Sequence, residues 1–318
     1  MTEHLPPLDP LLPRRFVRLT RDDRSGRRGV DRGDLVRLTR GVAVARVDWE
    51  ALGYDEQRWL RVEAVLSTVR HVDVVSHVSA AAYWGLPVLA SDRRVHVTDP
   101  CLARTRSGPV LVRHAAPLGP DEIVDVGGLR VTSLRRTTVD LARSRPFEDS
   151  VVLFDHLLHR ARATRSQLRS ALEAWPTVRG IERALSALGF ADERSESPGE
   201  SRSRVAFRRI GFPGPVLQQP FDTDIGTVRT DFWWPAFGVV GEFDGRVKYG
   251  LPLAGADGDV LFAEKRREDA LRRQREVTGV ARWTSDDLAD DGRLERVLRA
   301  AGLALLGPRF VWPEDRRC

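Results

Sequence analysis

The stretch that most constrains how this chain folds runs from Thr230 to Gly250, TDFWWPAFGVVGEFDGRVKYG. Two extended runs, Val228–Trp234 and Val239–Asp244, flank the turn-prone Pro235-Ala236-Phe237-Gly238, so the segment reads as a β-hairpin. With the turn centred between Ala236 and Phe237, Asp231 falls opposite Glu242. Asp244 joins Glu242 on one face, because side chains two apart on a strand point the same way. Val239, Gly241 and Phe243 take the other face, the core side. That register gathers three carboxylates. Like charges directly opposed across a strand pair, with Cβ atoms roughly 5 Å apart, destabilise a sheet. A hard divalent cation, Mg²⁺ or Mn²⁺, would neutralise them, since it takes oxygen ligands and commonly sits on one or two carboxylates plus phosphate. Asp231, Glu242 and Asp244 are therefore the expected metal ligands.

Lys248 follows four residues after Asp244. It is one of only two lysines, with Lys265, among 51 basic residues. A chain that writes nearly every positive charge as arginine keeps a compact ammonium here, and lysine suits proton and nucleophile chemistry better than a guanidinium. Two plainer readings stand beside this one. Asp244-Gly245 is a favoured turn pair, and Glu242 reads equally as a solvated edge charge. An acid on one strand, acid-x-acid on the next and a rare lysine together point to a site.

The pattern of Asp231, then Glu242-Phe243-Asp244-Gly245, then Lys248, resembles the restriction-endonuclease-like superfamily, PD-(D/E)xK. The resemblance is closest to the small domain related to very-short-patch repair endonucleases. It implies an α/β domain with a mixed central sheet, in which the first acid and the second-strand glutamate bind metal. It also implies a glutamate from an upstream helix, which here is Glu200 in SPGESRSRVAFRRIG. The superfamily usually places lysine two residues after the second acid; this chain has Asp244 there. Read without the resemblance, Ser197-Pro198-Gly199-Glu200 is a capping box with proline at the first helical position. Glu200 and Arg204 also stand at salt-bridge spacing.

At 318 residues the chain is long enough for two domains with cores. The start, MTEHLPPLDPLLPRR, lacks the sustained apolar run of a signal peptide, and no stretch has the length of a membrane span. Cys101 and Cys318 suggest neither a disulfide framework nor a zinc site, so a cytoplasmic location is expected. The net charge of +6 is compatible with nucleic acid without pointing to it.

Residues 1–32 are rich in Arg, Asp, Pro and Gly and read as a poorly ordered start. DLVRLTRGVAVARV then alternates like two short strands around Thr39-Arg40-Gly41. These form either a small structural hairpin or the end of a degenerate winged helix. A helix is expected over Asp55–Arg70. A short small-residue helix over Ala80–Trp84 follows, capped by Ser76 or Ser79 and stopped by Gly85 and Pro87. His77 reads as structural, because nothing nearby supplies a second ligand at helical spacing. Strands are expected at Arg94–Thr98, Val110–His114 and Leu129–Thr132. Helices follow Ser133, and FEDSVVLFDHLLHRAR turns Val151, Leu153, Phe154, Leu157 and Leu158 inward. Two more helices, 165–174 and 177–189, complete a helical section.

LVRLTRGVAV, SHVSAAAYWGLP and VTSLRRTTVDLAR, within residues 33–145, resemble the actinobacterial AbiEi-type antitoxins of type IV toxin–antitoxin systems. That resemblance implies an α+β region and a cognate toxin as partner, and it names no catalytic residue.

The polar run ADERSESPGE marks a boundary near residue 190. The expected organisation is a start over 1–32, an antitoxin-like region over 33–189 and a restriction-endonuclease-like domain over 190–318. Past the hairpin, a helix over Leu261–Arg275 carries Arg266, Arg267, Arg272, Arg273 and Arg275. These arginines meet phosphates or pair with Glu264, Glu268 and Asp269 on a solvated face. A strand over Gly279–Thr284 and a closing helix complete the domain. The expected activity is metal-dependent hydrolysis of a DNA phosphodiester. Asp231 and Glu242 would hold the ion, Asp244 or Glu200 would complete the site, and Lys248 would meet developing negative charge. The alternative is a non-catalytic, nucleic-acid-binding antitoxin-like regulator that keeps the nuclease shape.

Overall fold

The computed structural model describes residues 16–20, 22–68, 73–89, 92–175, 179–245 and 258–307, with the side chains of 258–264 left out. The architecture is mixed α and β, and the chain divides into two compact units. One comprises residues 1–145 and 162–186, the other 146–161 and 187–318.

In the first unit, β1 (Val17–Arg18) precedes α1 (Arg24–Arg32). This helix lies inside the stretch expected to be poorly ordered. Its sequence, RSGRRGVDR, has one apolar residue and so no apolar period to read. Its ends hold it instead: the Asp23 carboxylate accepts from the Gly26 N–H at 2.8 Å, and Gly33 closes it at φ +84°. The expected hairpin follows as β2 (Leu35–Thr39) and β3 (Val42–Ala45), with β1 adding to β3. Then come α2 (Arg46–Glu50) and α3 (Tyr54–Leu66).

A six-stranded sheet is built from β4 (Val74–Val75), β5 (Val95–Asp99), β6 (Arg106–Ser107), β7 (Leu111–Ala115), β8 (Ile123–Val126) and β9 (Leu129–Thr132). Its order is β6-β7-β5-β4-β9-β8, so β5 and β7 lie side by side in parallel. Between β4 and β5, α4 (His77–Trp84) is buried along its whole length. Its alanines admit neighbours on every side, and Gly85 ends it in the left-handed region. Ser133 caps α5 (Leu134–Ser144), where buried Arg136 bridges Asp140 and Glu122, each at 2.9 Å.

The helix α6 (Phe147–His159) buries the five residues expected to face inward. Sequence placed it with the N-terminal region; the structure groups it with the second unit, where it packs on α9 (Pro198–Ile210). Between them in the chain, α7 (Arg165–Glu173) lies in the first unit and α8 (Ile181–Phe190) straddles the division.

The second unit carries a four-stranded mixed sheet of β10 (Val216–Thr223), β11 (Gly226–Trp234), β12 (Val239–Asp244) and β13 (Gly279–Thr284), in that order. The first three are antiparallel and β13 runs parallel to β12. On one face Phe232, Trp234, Val239, Ala281 and Trp283 pack with Phe207 and Ile210 of α9 and with Leu294 and Leu298 of α12 (Asp291–Ala300). The Phe207 ring meets Phe232, Trp234 and Trp283 edge-on, at centroid distances of 5.2, 5.1 and 5.4 Å. The opposite face buries Phe221, Trp233 and Val240 against Leu271 of α10 (Gly258–Arg272) and against Val277. Between β13 and α12, α11 (Ser285–Leu288) makes one turn. Among the described residues, no helix is long and apolar enough to cross a membrane.

Candidate functional site

The hairpin turns where the sequence places it. Trp234 pairs with Val239, Trp233 with Val240 and Phe232 with Gly241. Continuing that register sets Asp231 opposite Glu242, but the ladder stops at Phe232. There the Asp231 side chain takes over, its Oδ2 accepting from the Phe243 N–H at 2.9 Å. On the other side, β10 pairs with β11 on both flanks of Asp231 yet skips the step between Gln218 and Asp231. Gln218 sits there at φ +55°, a left-handed backbone that few non-glycine residues adopt. Asp231 thus lies in a local opening of the sheet, out of register contact on both sides.

Glu200 reaches this opening from the α9 side. Ser197 caps the helix, its Oγ accepting from the Glu200 N–H at 3.2 Å. The reciprocal bond of a capping box would go to Ser197. The Glu200 carboxylate instead accepts from the Glu196 N–H and from Gln218 Nε2, each at 2.9 Å. The spacing partner Arg204 is drawn off to Asp155 at 2.8 Å. Glu200, Ser203, Phe207 and Ile210 form one stripe of α9, so the aromatic packing that seats Phe207 also aims Glu200 at the sheet. Glu200 is 7 % exposed. Gly199 allows the approach, because a Cβ there would collide with the Phe243 ring.

Glu242 continues the face of Val240, toward α10, where Arg267 Nη2 meets its Oε1 at 3.1 Å. Arg267 also donates to the Arg229 carbonyl, and among the described residues its buried Nε has no hydrogen-bond partner. Burial pushes the Asp231 carboxyl up; the Phe243 N–H and the Arg267 charge oppose this, and the Glu196 charge adds to it. Burial pushes Glu200 up as well, helped by the Asp231 charge and opposed by its bonds to Glu196, Ser197 and Gln218. Burial thus raises the proton affinity of both carboxyls, and the Asp231 charge raises that of Glu200 further.

Mg²⁺ or Mn²⁺ fits this donor set in chemistry. All the donors are carboxylate oxygens, and Asp231 commits one oxygen to the protein. What is missing is convergence: among the described residues no three His, Cys, Asp or Glu side chains group as a metal-holding set. The structure therefore brings Asp231, Glu242 and Glu200 into one neighbourhood without forming the expected three-acid patch of Asp231, Glu242 and Asp244. Asp244 stands at the exposed end of β12. Lys248 lies outside the described residues. Gln218 had no sequence signal beyond its strand position, because its role comes from a backbone angle. Arg267, expected to meet phosphate or to pair with acids on its own helix, pairs with a carboxylate of β12.

A second polar cluster, in the first unit, also escaped the sequence reading. His77, at φ +51°, stacks on His114 with centroids 3.6 Å apart. His96 Nδ1 lies 2.9 Å from His114 Nε2, and His96 Nε2 lies 3.0 Å from Asp92. The helix α4 and the adjacent strands β5 and β7 bring the three rings together, so no local spacing announces them.

No known protein family matches the chain by its sequence profile. It is similar to two proteins of Mycobacterium tuberculosis, from strains CDC 1551 / Oshkosh and H37Rv, both described as uncharacterized. Each is 28 % identical over 216 residues, which is 68 % of this chain and 75 % of the relative.

Proposed function

We propose that the second unit is a restriction-endonuclease-like domain that hydrolyses a DNA phosphodiester with Mg²⁺ or Mn²⁺. In this reading Asp231 and Glu242 hold the ion and Glu200 completes the site through Gln218. One observation carries it: the Asp231 carboxylate accepts from the Phe243 N–H where the β11–β12 ladder ends, at a residue the β10–β11 ladder also skips, and its charge acts on the buried Glu200. The order of helix, antiparallel hairpin strands and parallel β13 supports the fold assignment. When bound, the metal polarises a phosphoryl oxygen and lowers the pKa of an attacking water. The chain's own residues do the rest. Asp231 is held in place by the Phe243 N–H. Glu242 gives up Arg267, whose released guanidinium then stands beside the site to meet phosphate. Lys248 supplies a compact positive charge for the developing negative charge.

The Arg267–Glu242 pair favours a second reading as well. A guanidinium that permanently occupies the carboxylates would leave a binding domain without catalysis, joined to an antitoxin-like region with a cognate toxin. Nicking of supercoiled plasmid with Mg²⁺ or Mn²⁺, beside a DNA-binding titration in Ca²⁺, separates the two. Catalysis predicts nicking by the wild type and a fall on the order of 10² to 10³ in rate for Asp231→Asn and for Glu242→Gln. Binding without nicking on any DNA tested would sink the nuclease and leave the second reading.

A further inference from the structure

The first unit has a pocket of about 200 Å³ between α3, α4 and the segment entering β5. Arg58 and Arg61 line it from adjacent turns of α3, and Arg93 and Arg94 line it from the approach to β5. Two carboxylates answer these four guanidiniums. Asp55 pairs with Arg58 at 3.2 Å, and Asp92 takes Arg94 at 2.6 Å while also holding His96 at 3.0 Å. Arg61 lies over the Trp49 ring at 5.0 Å, and among the described residues neither it nor Arg93 has a carboxylate partner. Burial and the neighbouring Arg93 charge both push Arg61 down, so the two cations feel one another with no anion between them. Uncompensated charge in a partly buried wall is unfavourable until an anion arrives.

We infer that this pocket binds a phosphate group. Guanidinium forks match phosphate oxygens in pairs, and this many around one cavity is a phosphate-recognition arrangement. Size narrows the ligand. Sites that enclose a whole drug-sized molecule run to roughly 300–1,000 Å³, so this one takes the phosphate and leaves the rest of the ligand outside. Tyr54, 59 % exposed in the pocket's lining, has Arg58 over one face of its ring at 5.5 Å, so a base would stack on the other. The phosphate therefore belongs to a free nucleotide or to a nucleic-acid backbone. This inference is independent of the Asp231 site.

The test uses the full chain and inorganic phosphate, with chloride at equal ionic strength as the control, and reads melting temperature and calorimetric binding. Phosphate should raise the melting temperature where chloride does not. Arg61→Gln and Arg93→Gln should each weaken binding about tenfold or more, as loss of a charge-assisted hydrogen bond does. Arg93 is exposed, so its variant keeps the fold even if Arg61→Gln, which loses the Trp49 contact, does not. Adenosine monophosphate and a single-stranded oligonucleotide form two further arms. Saturation by the mononucleotide assigns a free nucleotide; binding of the oligonucleotide alone, displaced by phosphate, assigns a backbone. No difference between phosphate and chloride, or undiminished phosphate binding in Arg93→Gln, would overturn the inference.

Discussion

Among the described residues, His77 and Gln218 are the two polar side chains held at positive φ, +51° and +55°, and each marks a polar cluster. Such backbone costs on the order of 1–3 kcal/mol and persists where the surroundings over-determine it. At Gln218 the surroundings are Glu200 and the interrupted ladder; at His77 they are the stacked His114 ring and Ser76. Burial pushes His77 down to about 3 and His114 down to about 4, against the pull of the Asp140 charge, and it lowers His96 too. An unfolded histidine titrates near 6.5, at about its unperturbed value. As pH falls through that value the unfolded chain takes up protons that the folded chain refuses. Stability should therefore be full above about pH 6.5 and decline from there toward about 4. Asp231 and Glu200 act oppositely: their raised carboxyls bind protons first in the folded chain, which adds stability as pH falls toward the ordinary carboxylate range. Denaturant midpoints should thus drop from pH 7.5 to 5.5. The drop should be shallower in His77→Asn, since asparagine tolerates the left-handed backbone and carries no titrating ring. Equal slopes in variant and wild type would remove the histidine cluster from the pH response.

At the scale of elements, the hairpin was legible because its local rules agree: turn residues, alternation and length all give one register. The short helix ended at Gly85 and the strand Gly279–Thr284 were legible for the same reason. The three-acid patch was not, because strand alternation says which face a carboxylate shares and nothing about where a ladder opens. Nor does it say which helix covers that face. The closeness of β12 to its neighbours is itself testable. A Cβ at Gly241 would stand 2.8 Å from the rings of both Trp234 and Trp283, in the core that seats α9. Gly241→Ala should destabilise the chain by about 1–3 kcal/mol through overpacking. Gly199→Ala should push Phe243 off the first turn of α9 and disturb Glu200 and Asp231 together. An unfolding midpoint unchanged in Gly241→Ala would contradict the close packing of β12 against Trp234 of β11 and Trp283 of β13.

At the scale of the molecule, length implied two domains and the polar run near residue 190 their boundary, but neither showed the division. The helix α6 leaves one unit in sequence and joins the other in space, since its apolar stripe answers to α9 rather than to its neighbours in the chain. The central claim is that Asp231 and Glu242 form a cation site presently answered by Arg267. It is tested most directly by the melting temperature of the full chain against Mn²⁺ concentration, in wild type, Asp231→Asn and Glu242→Gln. An ion that binds only the folded chain stabilises by RT ln(1 + [L]/Kd), about 2.7 kcal/mol at roughly a hundred times Kd. The wild type should show that rise. Asp231→Asn should start more stable in the absence of metal, because it relieves the repulsion with Glu200, and both variants should show a smaller rise. A rise that persists undiminished in both variants, or no rise in the wild type, would contradict the claim.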